Sequence, residues 1–180
     1  MKKITLKPFV SLCKKTAKTG QLFLQSVDKE VYISDGCFIV KVSRYTYDKE
    51  IRPDLIFDVP ENGKVKIDRN KLSIIDNPSF IDFKDNFENE SGVDFTPCTM
   101  TGLIIENTWN SDTLLRIFKS ENGLTAIDTK YVNALLWFGF ASAKVDKERP
   151  ERSPIKTNDF KILPVRINAL DTIKQVVENI

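Results

Sequence analysis

Apolar and polar positions recur along this chain at two periods, and the switches between them mark its elements. Lys3–Leu6 (KITL) is a short strand candidate. Pro8 then stands where a first helical turn accepts proline, because the N–H it lacks would have no partner there. Over Pro8 to Thr19 (PFVSLCKKTAKT), at about 100° per residue, Phe9, Leu12, Cys13, Thr16 and Ala17 share one side. Lys7, Ser11, Lys14 and Lys18 share the opposite side, with Lys15 at its edge. Gly20 supplies the stop. The spacing predicts an amphipathic helix with an apolar underside and a purely basic upper side.

Strand patterns come next. Gln21 to Val27 (QLFLQSV) and Glu30 to Ile33 (EVYI) are separated by Asp28-Lys29. Ser34-Asp35-Gly36 reads as a turn, and Cys37 to Tyr45 (CFIVKVSRY) continues as a strand with Phe38, Val40 and Val42 on one face. Leu55 to Val59 (LIFDV) predicts another strand, closed by Pro60-Glu61-Asn62-Gly63. Residues 64–97 predict a less regular excursion. Within it Asp68 to Ile75 (DRNKLSII) reads as a short helix ended by Asn77-Pro78, and Phe80, Phe83 and Phe87 form an anchored aromatic edge.

Strands resume at Thr101 to Glu106 (TGLIIE) and Thr113 to Lys119 (TLLRIFK), with a turn over Asn107 to Asp112. Ser120-Glu121-Asn122-Gly123 is a strong hairpin signal before Leu124 to Ile127. Asp128 and Thr129 are good N-caps for a second helix, Lys130 to Phe138, ended by Gly139. Phe140 to Val145 and Phe160 to Ile167 (FKILPVRI) read as strands, with a charged, proline-bounded loop (KERPERSP) between them. Leu170, Ile173, Val177 and Ile180 fall at helical spacing in the tail. The resulting fold class is α+β: antiparallel sheets with two helices on one side, in an order suggesting a duplicated β-α-β-β-β unit. The expected division is one domain over 1–168 and a helical tail over 169–180.

Composition narrows the function. The 180 residues hold 27 Lys+Arg, 25 Asp+Glu, no His and 3 Cys. Without histidine there is no Ser-His-Asp triad, no Cys-His dyad, no imidazole base and no His-ligated zinc. Cys13, Cys37 and Cys98 are far apart and belong to no C-x-x-C pair. Reduced, mostly buried thiols in a cytoplasmic protein are expected from them. No phosphate-binding glycine loop, dinucleotide fingerprint or nucleophile elbow is present. The longest apolar run, Ala134 to Ala143, is interrupted by Gly139 and falls short of the roughly 20 residues a bilayer span needs. The start MKKITLKPFV lacks the apolar stretch of a secretory signal. The expectation is a non-enzymatic binding or structural role, with no cofactor, no metal and no membrane.

Four passages, in order, resemble a DNA sliding clamp domain of the bacterial polymerase III type. They are the lysine-faced helix (KPFVSLCKKTAKT), Thr101 to Glu106 (TGLIIE), Asp112 to Gly123 (DTLLRIFKSENG) and Lys161 to Ile167 (KILPVRI). Asp128 to Phe138 sits where that family has its second helix. The departures are a Ser-Glu-Asn-Gly turn in place of Thr-Asp-Gly and a middle excursion without counterpart. The resemblance implies a clamp-like accessory protein of DNA replication or recombination, encoded by a phage or other mobile element. It also implies self-association, since one such chain is too short to encircle DNA, and contacts with other replication proteins.

In that family, lysines on helices lining the hole meet DNA phosphates without sequence preference. Lys7, Lys14, Lys15 and Lys18 match that set, with Lys130 a weaker contribution from the second helix. Trp137 on that second helix is unlike a pore lining and reads as a protein contact. The alternative function is therefore a protein-interaction module on a clamp-like scaffold that does not bind DNA. The stretch Gln21-Leu22-Phe23-Leu24 partly resembles a clamp-docking peptide but fits a core strand better. The acidic run Asp82, Asp85, Glu88, Glu90 lacks the D-x-D-x-D-G spacing of a calcium loop, so a solvated acidic edge is the expectation there.

Overall fold

The computed structural model describes residues 5–77, 79–107 and 110–165, with the backbone alone at 110 and 111. Of the strand candidate Lys3–Leu6, Lys3 and Ile4 fall outside them, while Thr5 and Leu6 are not in a strand and Leu6 is the N-cap of the first helix; the tail 169–180 lies wholly outside. The fold is α+β with antiparallel strand pairing. The chain forms two compact units: one runs to Glu90 and takes in Asp159–Lys161, and the other holds Ser91–Asn158 and continues from Ile162.

The first unit begins with helix α1 (Lys7–Thr19), close to its sequence bounds. Strands β1 (Gln21–Val27), β2 (Glu30–Ser34) and β3 (Phe38–Ser43) form an antiparallel meander, with Leu24 opposite Ile33 and Ile33 opposite Val40. Side chains alternate across the sheet. Leu22, Leu24, Val31, Ile33, Phe38, Val40 and Val42 therefore share one face, and all of them are buried. Phe9 of α1 meets Phe38 edge-on at 5.9 Å between ring centroids, which places α1 on that face. Phe9 and Cys13 are fully buried, with Val10 and Ala17 nearly so.

The opposite face carries Phe23, Gln25, Tyr32, Ile39 and Lys41. It is covered by α4 (Phe83–Glu88) with Phe80, Phe83 and Phe87. Gln25 holds this cover in place. Its Oε1 accepts the Phe83 backbone N–H at 2.7 Å and its Nε2 donates to Asp82 Oδ2 at 3.0 Å.

Three expectations for this unit are corrected. The strand reading to Tyr45 stops at Ser43, whose hydroxyl caps a helical segment instead. That segment runs through α2 (Arg44–Thr46), a π turn (Tyr47–Ile51) and α3 (Arg52–Leu55). Tyr47, Ile51 and Leu55 recur at i, i+4 and i+8 and are all buried, a helical pattern masked in sequence by Pro53. The strand expected over Leu55 to Val59 is absent: Leu55 ends α3 and Ile56 takes a left-handed conformation, φ 64°. The helix expected within Asp68 to Ile75 is instead a hairpin of β4 (Lys64–Asp68) and β5 (Lys71–Ile74). Arg69 and Asn70 both have positive φ, the requirement of a two-residue type I′ turn, and asparagine is well suited to it. The strands of this unit lie in the order β5-β4-β1-β2-β3-β11, where β11 is Phe160–Ile162.

In the second unit β6 (Phe95–Asn107) pairs with β7 (Asn110–Ser120), and β7 pairs with β8 (Gly123–Asp128). Helix α5 (Thr129–Leu135) comes after β8, capped by the Asp128 carboxylate, which accepts the Lys130 N–H at 2.9 Å. The helical hydrogen bonding stops short of the expected Phe138, and Leu136–Phe138 form a turn. β9 (Lys144–Asp146) and β10 (Ile155–Lys156) extend the order to β10-β9-β6-β7-β8. Phe140 to Ala143, expected as strand, lies before β9 as irregular chain. The core under one face of β7 and β8 is Leu115, Ile117, Leu124 and Ala126, with Leu103, Ile105 and Val165 packed against it.

Candidate nucleic-acid interface

α1 presents its basic side outward. Lys7, Lys14, Lys15 and Lys18 are all exposed, as is Ser11, and no acidic residue occurs anywhere in the helix. The division arises from the underside: with Phe9, Val10, Cys13 and Ala17 fixed in the core, helical geometry leaves the lysines to solvent. Lys14 Nζ lies 3.2 Å from Asp54 Oδ1, an exposed pair contributed by α3. Lys7, Lys15 and Lys18 make no ion pair among the described residues. Lys18 lies in the last turn, where a cation also complements the partial negative charge of the helix C-terminus.

That C-terminus carries a residue that periodicity alone does not reveal. Gly20 N–H donates to Thr16 O at 2.8 Å and Asn70 N–H to Ala17 O at 2.8 Å, so the β4–β5 turn closes over the last carbonyls of α1. Arg69 in that turn is exposed and makes no ion pair among the described residues. The turn thereby adds a cation at the Lys18 end of the helix. The available sequence signal is the Arg-Asn pair flanked by alternating KVKID and KLSI.

Lys130 and Trp137 belong to the second unit. Lys130 Nζ is 3.1 Å from Asp128 Oδ2 and 4.6 Å from the centroid of the Tyr131 ring, so its charge already has local partners. Trp137 is 43% exposed and stands edge-on to Phe138 at 5.0 Å.

The acidic run has structural roles at Asp82 and Glu88. Asp82 caps α4, accepting the Asp85 N–H at 3.1 Å, and pairs with Lys64 at 3.0 Å. Burial pushes the Asp82 carboxyl up, but the bonds from Asp85, Lys64 and Gln25 outweigh it and hold it below the ordinary carboxylate value. Glu88 Oε1 lies 3.1 Å and Glu30 Oε2 2.9 Å from the Tyr32 hydroxyl. Among the described residues no group of three or more His, Cys, Asp or Glu side chains could hold a metal ion. No described helix is long and apolar enough to cross a membrane.

No protein-family model matches this chain, and no curated protein or solved structure matches it either.

Proposed function

We propose that this protein is a non-enzymatic, clamp-like accessory factor of DNA replication or recombination that touches DNA through phosphates. The observation that carries the reading is α1: its apolar side is locked into the core while its exposed side offers lysines and no carboxylate. Exposed ammonium groups in a row suit contact with a regular polyanion, because each phosphate neutralised releases a condensed counterion. Such contact carries no base readout, in keeping with the absence of aromatic residues from that side. The helix and the three-strand antiparallel meander after it in the first unit support the clamp-like plan. A chain of this size acting in this way works as an oligomer.

The test is the triple variant Lys7→Glu, Lys14→Glu, Lys18→Glu. Retention on duplex DNA is expected to vanish while the circular dichroism spectrum stays unchanged. Salt-dependent binding equal to that of the parent rejects the assignment of this face.

A second reading draws on the other unit. Trp137 and Leu136 are exposed at 43% and 38%, while Lys130 is already engaged. This turn suits a protein contact better than a phosphate contact. Under that reading the chain is an interaction module that ignores DNA. A monomeric mass in solution, together with no DNA binding at any salt concentration, favours it.

A further inference from the structure

The lysine row on α1 has one member withheld. Within the helix no lysine has an acidic neighbour at i±3 or i±4, so an isolated α1 would display all of its cations freely. The partner of Lys14 comes from 40 residues away, as Asp54. Its location is not that of a loose loop. Asp54 lies between Pro53 and the buried Leu55, one turn after the buried Ile51. Arg52 bridges Asp48 at 3.5 Å and Asp58 at 3.2 Å, and Arg44 binds the same two carboxylates at 3.1 and 3.4 Å. Ile56 closes α3 by donating its N–H to Arg52 O at 2.8 Å. The carboxylate is therefore delivered to Lys14 by a braced segment.

We infer that Asp54 is a built-in competitor of the phosphate site, which keeps its grip on DNA weak enough to be reversible. This rests on the reading of α1 as the phosphate-facing element. A phosphate that takes Lys14 must displace Asp54 and leave that carboxylate unpaired beside a second anion. Both members of the pair are more than half exposed, at 53% and 60%, so the exchange is opposed weakly. Asp54 sets the affinity of the site and does not shut it.

The experiment uses a fluorescein-labelled DNA duplex of mixed sequence, titrated with the full chain across a salt series. Asp54→Asn is expected to tighten binding about three- to tenfold at low salt, with the log–log salt slope changed by less than the roughly 0.9 of one whole phosphate contact, because Lys14 already reaches phosphate in the parent by displacing Asp54. Adding Lys14→Gln to Asp54→Asn is expected to return affinity to near that of the parent, since the withheld cation and its competitor are both gone. Glu61→Gln makes the same change in net charge on an exposed turn and is expected to change nothing. An Asp54→Asn variant with no gain, or a gain matched by Glu61→Gln, overturns the inference even where Lys7→Glu with Lys18→Glu still abolishes binding. Binding that survives Lys7→Glu with Lys18→Glu overturns the underlying reading itself. Because Asp54 is exposed, unchanged circular dichroism is expected in every variant.

Discussion

The backbone N–H of Asn70 donates to the carbonyl of Ala17 at 2.8 Å, so a strand turn caps the helix that carries the lysines. Asn70 does so at φ 64°, a left-handed conformation that most side chains disfavour. Asn70→Gly is expected to leave stability close to that of the parent, while Asn70→Ala costs about 1 kcal/mol. Urea unfolding of the two variants checks this, and equal losses would contradict the role of backbone conformation.

Gln25 is 1% exposed and uses both ends of its amide to fasten α4. Gln25→Leu strands the Phe83 N–H against an apolar side chain, at about 1–3 kcal/mol. Gln25→Glu brings a second carboxylate against Asp82 and is expected to cost more at neutral pH than in acid. The order of the two variants at neutral and acid pH, from urea midpoints, is the measurement.

Asp82 gives folding a pH dependence of known sign. Its carboxyl is held below its ordinary value in the folded state, so folding favours the deprotonated form. That contribution is fully present above the unfolded value of about 4 and disappears as pH falls through the depressed folded value. Asp82→Asn is expected to be less stable than the parent at neutral pH, with the gap narrowing in acid. Asparagine keeps the capping acceptor, so a gap constant with pH would contradict a role for the Asp82 charge.

The three thiols are expected to divide by reactivity. Cys37 is exposed, whereas Cys13 and Cys98 are buried. Burial raises both buried thiols, Cys98 to about 11, so neither forms appreciable thiolate near neutrality. Titration of the native protein with a coloured disulfide reagent should give one fast thiol per chain, the other two appearing only on unfolding.

Local features were the legible ones in the sequence. The Pro8 start, the Gly20 stop and the spacing of Phe9, Cys13 and Ala17 were enough to orient α1, because helical periodicity needs no partner to be read. The Asp128 cap was legible for the same reason. The β4–β5 hairpin was missed although KVKID and KLSI alternate polar and apolar residues, because DRNKLSII also fits a short helical turn and the hairpin depends on the left-handed conformations of Arg69 and Asn70. The segment from Arg44 to Leu55 was missed because its first residues continue a strand pattern and Pro53 interrupts the helical run after them. At the candidate interface the lysines could be placed from spacing alone. Asp54 and Arg69 reach α1 only through tertiary contacts, and no periodicity within α1 announces them.

The clasp of the β4–β5 turn on the end of α1 also gives the helix an angular index. One residue inserted or deleted between Phe9 and Ala17 would rotate everything beyond it by about 100° about the axis. The seat at Ala17 and Gly20 would then no longer meet Asn70 and Arg69, and the ammonium groups would be turned toward the sheet. Rotational phase, more than the number of lysines, is what this architecture guards.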